Sequence, residues 1–301
     1  MKNQLVSIVI ITYNSSKFVL ETLNSISEQT YRNVELIISD DSSKDDTVAI
    51  CKDWVNKNKE RFTRAEIITS PENTGVVGNV NRAYQAVRGE WVKFLGGDDL
   101  LLPRFVESNL EIAKQFPNNS LITSKLAAFD SNSGRDLRIW PIVDIKNNDG
   151  PAQLKGLLKG NYIKAPSVFM RTDLVQKLGG FDTRYPMLED VPFWIKANLT
   201  GYYFVMNPEL LVRYRVHSES LSSSHKNLIN PVFYPSYRKL IEELMCPLLK
   251  RERMYGDYAY RKVTLWIFDR VLRKGNNLNS RENTLERILL KGVNFMNKIF
   301  S

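Results

Sequence analysis

Along the N-terminal third of the chain, short apolar runs alternate with amphipathic stretches. Residues 5–12 form a near-continuous run rich in Val and Ile, the pattern of a strand buried on both faces. Runs at 34–39, 65–69 and 91–95 predict three more strands. Between them the periodicity is helical. Residues 17–29 put Phe18, Leu20, Leu23 and Ile26 on one face behind a Ser15-Ser16 cap, Ser42-Ser43 caps a second helix reaching about residue 59, and residues 77–87 form a third, ended by Gly89. Strands separated by helices of this length predict βαβ crossovers and a parallel sheet.

The pattern loosens beyond residue 100. It predicts a helix over 103–116, a strand over 120–126, a loop or hairpin over 130–150, helices near 151–159, 172–178 and 193–199, and strands at 202–206 and 210–216. After residue 226 the chain reads as helical and aromatic-rich. The expected division is therefore a body over 1–225, with halves of about 1–100 and 100–225, and a helical region over 226–301.

Ligands of parallel sheets bind beyond the carboxyl ends of the strands. Here those ends read Thr12-Tyr13-Asn14, Asp40-Asp41-Ser42-Ser43, Ser70-Pro71-Glu72-Asn73 and Gly96-Gly97-Asp98-Asp99. One acidic loop is ordinary turn chemistry; two Asp-Asp pairs on one sheet edge point to a site.

Composition narrows the picture. Apolar residues at 43% and charged residues at 25% of 301 are those of a globular protein and exclude disorder as the main state. Cys51 and Cys246 are too few and too far apart for a disulfide framework or a thiolate zinc site, and they read as reduced thiols. Only His217 and His225 are available for histidine chemistry. No apolar run approaches the ~18 residues of a membrane span, and the expected location is cytoplasmic. The net charge of +9 is unevenly placed: residues 226–301 carry 15 Lys and Arg against 7 Asp and Glu.

Gly96-Gly97 permit turns that aim Asp98 and Asp99 outward, and adjacent carboxylates suit a hard divalent cation such as Mg²⁺ or Mn²⁺. The plainer alternative is capping of the next helix. Asp41 can accept a hydrogen bond from a base or ribose while Ser43 caps. Glu189-Asp190, beside Phe193 and Trp194, can supply a general base for an alcohol, or merely an acidic first turn. His217, two residues after Arg215 and before a Ser-rich stretch, can close over a phosphate.

Taken together, the series Val6-Ser7-Ile8-Val9-Ile10-Ile11-Thr12-Tyr13-Asn14, Glu35-Leu36-Ile37-Ile38-Ser39-Asp40-Asp41-Ser42-Ser43, Asn73-x-Gly75, Asn81, Asp98-Asp99, Gly179-Gly180-Phe181-Asp182, Glu189-Asp190 and Arg215-x-His217 resembles the family-2 glycosyltransferases of GT-A fold. The resemblance covers roughly residues 5–222. It implies an α/β architecture, a Rossmann-like and mostly parallel central sheet with a C-terminal helical extension. It also implies metal-dependent, inverting transfer of a hexosyl or N-acetylhexosaminyl group from a nucleotide-diphosphate sugar, a UDP-sugar foremost. The acceptor would be a saccharide or lipid-linked saccharide of bacterial surface polysaccharide assembly. By the same resemblance Thr12, Tyr13 and Asn14 would line the nucleotide pocket, Asp41 would read the base, and Asn73, Gly75 and Asn81 would lie on the donor loop. Asp98 would face the ribose or metal, Asp99 would ligate Mn²⁺ or Mg²⁺ at the diphosphate, and Arg215 and His217 would approach that diphosphate. Asp190 would be the catalytic base, with Glu189 second. Two departures stand out: Gly96 and Gly97 where relatives often carry an acid, and Val80 where many carry an arginine.

A nucleotidyltransferase would need a glycine-rich basic loop after the first strand, and Thr12-Tyr13-Asn14-Ser15-Ser16 is neither. A nucleic-acid-binding protein would explain the basic tail but not the acidic strand ends, and no zinc, helix-turn-helix or RNP motif is present. A degenerate transferase that only binds donor is the other alternative. In the tail, Leu285, Ile288, Leu289, Val293, Met296, Ile299 and Phe300 share one helical face, and residues 258–274 mix aromatics with Lys and Arg. Residues 250–301 are thus expected either to dock peripherally on the anionic inner face of the cell membrane or to pack on the body or in a homodimer.

Overall fold

A computed structural model of the chain describes residues 4–140, 149–217, 229–274, 284–286, 288 and 289. The predicted alternation is present in its first part: β1 (Val6–Thr12), α1 (Val19–Ser27), β2 (Val34–Asp40), α2 (Thr47–Asn58), β3 (Arg64–Thr69), α3 (Gly75–Tyr84) and β4 (Trp91–Gly96) follow one another. These strands lie in the order β3-β2-β1-β4, all parallel, as the βαβ reading requires. The chain continues through β5 (Leu100–Leu101), α4 (Phe105–Gln115), β6 (Leu121–Asp130), β7 (Asp136–Trp140), α5 (Gly150–Lys159), β8 (Val168–Arg171), α6 (Thr172–Lys177), α7 (Asp190–Leu199) and β9 (Phe204–Val216). β8 joins β4 antiparallel, β6 joins β8 antiparallel, β9 runs parallel to β6, and β5 closes the far edge. The sheet is mixed but mostly parallel on its N-terminal side, with the β6–β7 hairpin beside it.

Helices dominate the C-terminal part: α8 (Tyr234–Lys239), a π-helical turn (Leu240–Met245), α9 (Cys246–Arg251) and α10 (Tyr255–Arg273). The described residues divide into two compact units, one of residues up to 154 with 162–216, the other of 155–161 with those from 217 onward. Among the described residues no helix is long and apolar enough to cross a membrane. Of the tail's expected apolar face, Leu285 and Ile288 are exposed, while Val293, Met296, Ile299 and Phe300 lie outside the described residues.

The core of the first unit follows the alternation of strand side chains. Val6, Ile8 and Ile10 of β1 and Leu36 and Ile38 of β2 pack with Val19, Leu23 and Ile26 of α1 and Trp54 of α2. Three local expectations are revised. α1 begins at Val19, so Leu20 turns to solvent and Val19 turns inward. Neither Ser15-Ser16 nor Ser42-Ser43 caps a helix through its side chain: α1 and α2 have no side-chain cap bond, because these loops spend their hydroxyls on each other and on Asp40. The two strands expected at 202–206 and 210–216 are one, β9. Its irregular register against β6 absorbs Pro208, which has no N–H to give, while Asn207 accepts the Glu209 N–H at 3.0 Å.

A buried carboxylate fixes the base of this sheet. Glu35 is 1% exposed and accepts the Ser7 hydroxyl at 2.6 Å, the Arg88 N–H at 2.7 Å and the Gly89 N–H at 3.2 Å. Gly89 is demanded by space: a Cβ there would lie 2.6 Å from the Ser7 backbone nitrogen. Gly89→Ala should therefore destabilise the fold by about 1–3 kcal/mol, the usual cost of overpacking, read as a lower urea midpoint at unchanged slope.

Candidate active site

The carboxyl ends of β1, β2 and β4 meet through polar side chains. Thr12, closing β1, donates its hydroxyl to Asp40 at 2.8 Å, and Asp40 also takes the Ser43 N–H at 2.9 Å. The next loop is sewn across: the Asn14 N–H reaches Ser43 Oγ at 2.8 Å and Asn14 Oδ1 takes the Lys44 N–H at 2.8 Å. Asn14 and Ser42 both hold positive φ, 49° and 68°, a strain these bonds compensate. Tyr13 stays 48% exposed at the rim.

Asp41 does not face open space as the sequence suggested. It is 3% exposed, and its carboxylate accepts the Thr74 N–H at 2.9 Å, the Thr74 hydroxyl at 2.7 Å and Arg82 Nη2 at 2.8 Å. A buried carboxylate needs such partners. Arg82 also donates to the Asp40 carbonyl at 3.3 Å and to Asn79 Oδ1 at 3.1 Å. Buried Asn79 donates to the carbonyls of Thr12 and Ser39, at 3.3 Å and 3.0 Å. Sequence reasoning noted Val80 in place of an arginine and overlooked Arg82, two residues on, which brings a guanidinium to this edge. Its spacing of three from Asn79 on a helix was the available signal.

The donor-loop candidates join this edge to the turn before α7. Asn73 Oδ1 accepts the Gly75 N–H at 2.9 Å, and Gly75 has φ +77°, with the Pro186 carbonyl 3.2 Å from where a Cβ would be. Asn81 spends its whole amide on one residue: Nδ2 donates to the Phe181 carbonyl at 2.8 Å and Oδ1 accepts the Phe181 N–H at 3.0 Å. Gly180, at φ +79°, lets the chain pass Asn81 so closely.

The turn ends in Glu189-Asp190 at the start of α7. Glu189 keeps some surface open yet lies deep enough that burial, with the Asp190 charge second, pushes its carboxyl up to about 8. Asp190 Oδ1 accepts the Val191 N–H at 2.6 Å.

At the end of β4, Asp98 is half-buried and Asp99 is 2% exposed, so only the first carboxylate is open, whereas both were expected to point outward. Burial foremost, and then the Asp98 charge, raises the Asp99 carboxyl well above the usual range, against the Arg215 N–H that Oδ1 accepts at 2.9 Å. A Cβ on Gly96 would sit 2.7 Å from Asp98 Oδ1 and 3.9 Å from Asp99 Oδ2, so both carboxylates edge the same small space. That space explains the glycine. Two hard oxygen donors around it fit a divalent cation that takes its remaining ligands from water and substrate phosphate. Among the described residues no group of three or more His, Cys, Asp or Glu forms a closed cage.

Arg215 is a strut for this pair. It is 3% exposed, its guanidinium lies 4.7 Å from the ring centroids of both Phe18 and Phe129, Nε donates to the Asp98 carbonyl at 2.8 Å, and Nη2 pairs with Glu21 at 2.7 Å. Arg215 lies within β9, and stacking and backbone bonds immobilise it. His217 is half-buried and opens the second unit, and the Ser-rich stretch after it lies outside the described residues. Lys93, earlier on β4, is fully buried and donates to the Val168 carbonyl at 3.3 Å and to that of Pro166. Burial brings its ammonium down to about 7, with the Asp99 charge opposing.

Residues 7–176 match the family model described as glycosyl transferase family 2. An uncharacterized glycosyltransferase of Rickettsia bellii is 29% identical over 248 residues, 80% of this chain but 34% of that protein, so the chain spans about a third of that relative. An uncharacterized glycosyltransferase of Haemophilus influenzae is 25% identical over 74% of this chain and 69% of its own length. In fold the chain is similar to S. aureus TarS 1-349 crystallised with UDP-GlcNAc, with TM-score 0.61, 18% identity, and coverage of 86% of this chain and 72% of that one.

The strut makes unequal demands on its two ends. Arg215→Ala should cost about 2–5 kcal/mol of stability in chemical denaturation, because it empties the space between Phe18 and Phe129 and leaves the Asp98 carbonyl without its donor. Glu21→Gln should cost less than about 1 kcal/mol, since Glu21 is 58% exposed.

Proposed function

The chain belongs to glycosyl transferase family 2, and from that premise we propose that it moves a sugar from a nucleotide-diphosphate sugar to an acceptor hydroxyl with inversion at the anomeric carbon. The observation that carries the reading is the gathering of Thr12, Asp41, Arg82, Asp98 and Asp99 at one sheet edge, with α3 bonded through Asn81 and the Val77 N–H to the turn that precedes Glu189 and Asp190. A UDP-sugar, hexosyl or N-acetylhexosaminyl, is the proposed donor; the TarS structures that share this fold hold UDP and UDP-GlcNAc. The proposed acceptor is a saccharide or lipid-linked saccharide.

In this reading Tyr13, Asn14 and the Asn73–Gly75 loop flank the nucleotide, while Asp41, spoken for by Thr74 and Arg82, shapes that pocket at one remove. Arg82 offers positive charge beside it. Asp98 and Asp99 would hold Mg²⁺ or Mn²⁺, which as a Lewis acid supports the negative charge growing on the leaving diphosphate. Asp98 is the more accessible ligand and Asp99 the inner one, set in place by the Arg215 N–H. Asp190 accepts the proton of the attacking hydroxyl. Burial, and then the Asp190 charge, make Glu189 hold its proton more tightly than an ordinary carboxyl, which leaves the base role with Asp190 and Glu189 second.

Two measurements test the reading. A screen of nucleotide sugars with Mn²⁺ and Mg²⁺ should find one donor hydrolysed or transferred, and Asp190→Asn should cut transfer by about 10²–10⁴-fold while donor affinity by calorimetry holds. Unchanged transfer by that variant would remove Asp190 as the base. Glu189 also predicts a pH signature. Its folded form keeps a proton that the unfolded chain releases above its ordinary value of 4.5, so its contribution makes stability fall as pH rises from there and level off above about 8. Glu189→Gln should flatten that slope in thermal melts.

A further inference from the structure

The second compact unit contains a cavity of about 370 Å³ lined by Glu242, Cys246, Pro247, Lys250, Tyr258 and Lys262. Half of its lining is non-ionic: the buried Cys246, Pro247 and the Tyr258 ring. Two ammonium groups stand at it. Lys250 Nζ lies 4.7 Å from the Tyr258 ring centroid, a cation on an aromatic face. Lys262 comes no nearer to Glu242 than 4.0 Å, and Glu242 is already held by Arg238 through Nε and Nη2, each at 3.3 Å. The cations therefore outweigh the anion at this spot.

The cavity opens onto one stripe of α10. Tyr255, Tyr258, Lys262 and Trp266 follow at spacings of three, four and four, which stacks them on one helical face, with Val263 beside them. Tyr255 is 64%, Trp266 48% and Val263 40% exposed, high values for such side chains. Arg270 continues the stripe, its guanidinium 5.0 Å from the Trp266 ring centroid. The opposite face is committed: Leu265, Ile267 and Val271 are buried, and Arg261 donates to the Leu158 carbonyl at 3.0 Å.

We propose that this face of α10 docks on an anionic bilayer surface, with Lys250 and Lys262 taking a lipid phosphate and Tyr255, Val263 and Trp266 entering the interface. Charge chooses among occupants. A second copy would set one tail of net charge +8 against another. Nucleic acid would match the cations but leave Val263 and Trp266 without an apolar partner. A bilayer of anionic headgroups satisfies both kinds of side chain. The proposal goes beyond the transferase reading and does not rest on it, since binding to lipid is measured without donor or acceptor.

The test is co-sedimentation of the full chain with sucrose-loaded vesicles of phosphatidylcholine alone and of phosphatidylcholine with phosphatidylglycerol. Binding should require phosphatidylglycerol, weaken with salt, and fall about 30-fold in the Lys250→Gln/Lys262→Gln double variant, from ~5-fold for each lysine near an anionic surface. Trp266→Ala should also weaken it, and Trp266→Phe should remove a blue shift of tryptophan emission seen on binding. Thermal melts should match the parent, because the altered side chains are exposed. Equal binding to both vesicle types, or a double variant that binds like the parent, would overturn the proposal. So would calorimetric binding of inorganic phosphate that depends on both lysines without any vesicle binding, which would make this a site for a free anion. Light scattering that shows a dimer dissolved by Trp266→Ala would give the face to a second copy instead.

Discussion

Two carboxylates on neighbouring residues at the end of a buried strand repel each other, and burial makes the repulsion worse by stripping away water. The Asp98-Asp99 corner is built around that conflict. Gly96 leaves the oxygens room, the Arg215 N–H holds one of them, and the Arg215 side chain bonds the backbone of the pair while its own charge is met by Glu21 outside. Phe18 and Phe129 fix the guanidinium from two sides. The end of β9 is thus tied to the end of β4.

The same principle recurs across the sheet edge. Asp41 is met by Arg82 and Thr74, and Asp40 by Thr12 and Ser43. Few of these carboxylate oxygens are left without a partner, and Asp98 is the most open of the four acids. Acidic strand ends in this chain serve first as scaffolding.

β1 and β2 were readable because each is buried on both faces, so the Val and Ile runs at 6–12 and 34–40 stand out against their polar surroundings. The strand-end acids were equally plain, since order along the chain sets their place in a parallel sheet. What escaped depended on partners distant in sequence. Nothing near Arg215 announces Phe18 or Phe129, so the partners that make it a buried strut were not legible. Ser15 and Ser43 have the composition of helix caps, but tertiary bonds between their loops claimed them first. Arg82 read as one more polar position on an amphipathic helix, and only the fold brings Asp41 to it. Pro208 suggested a break where a bulge keeps β9 whole.

Asn81 offers Phe181 both a donor and an acceptor, which is what an adjacent strand residue would offer. A single side chain thereby does the job of a missing ladder rung, and the glycines before Phe181 allow the approach. An anchorage of this kind depends on one amide rather than on the length of the segment that follows. A second attachment follows, where the Pro186 carbonyl accepts the Val77 N–H at 3.2 Å, so the chain is held at Phe181 and again at Pro186. Two fastenings on α3 thereby set where α7 begins, and with it the position of Glu189 and Asp190.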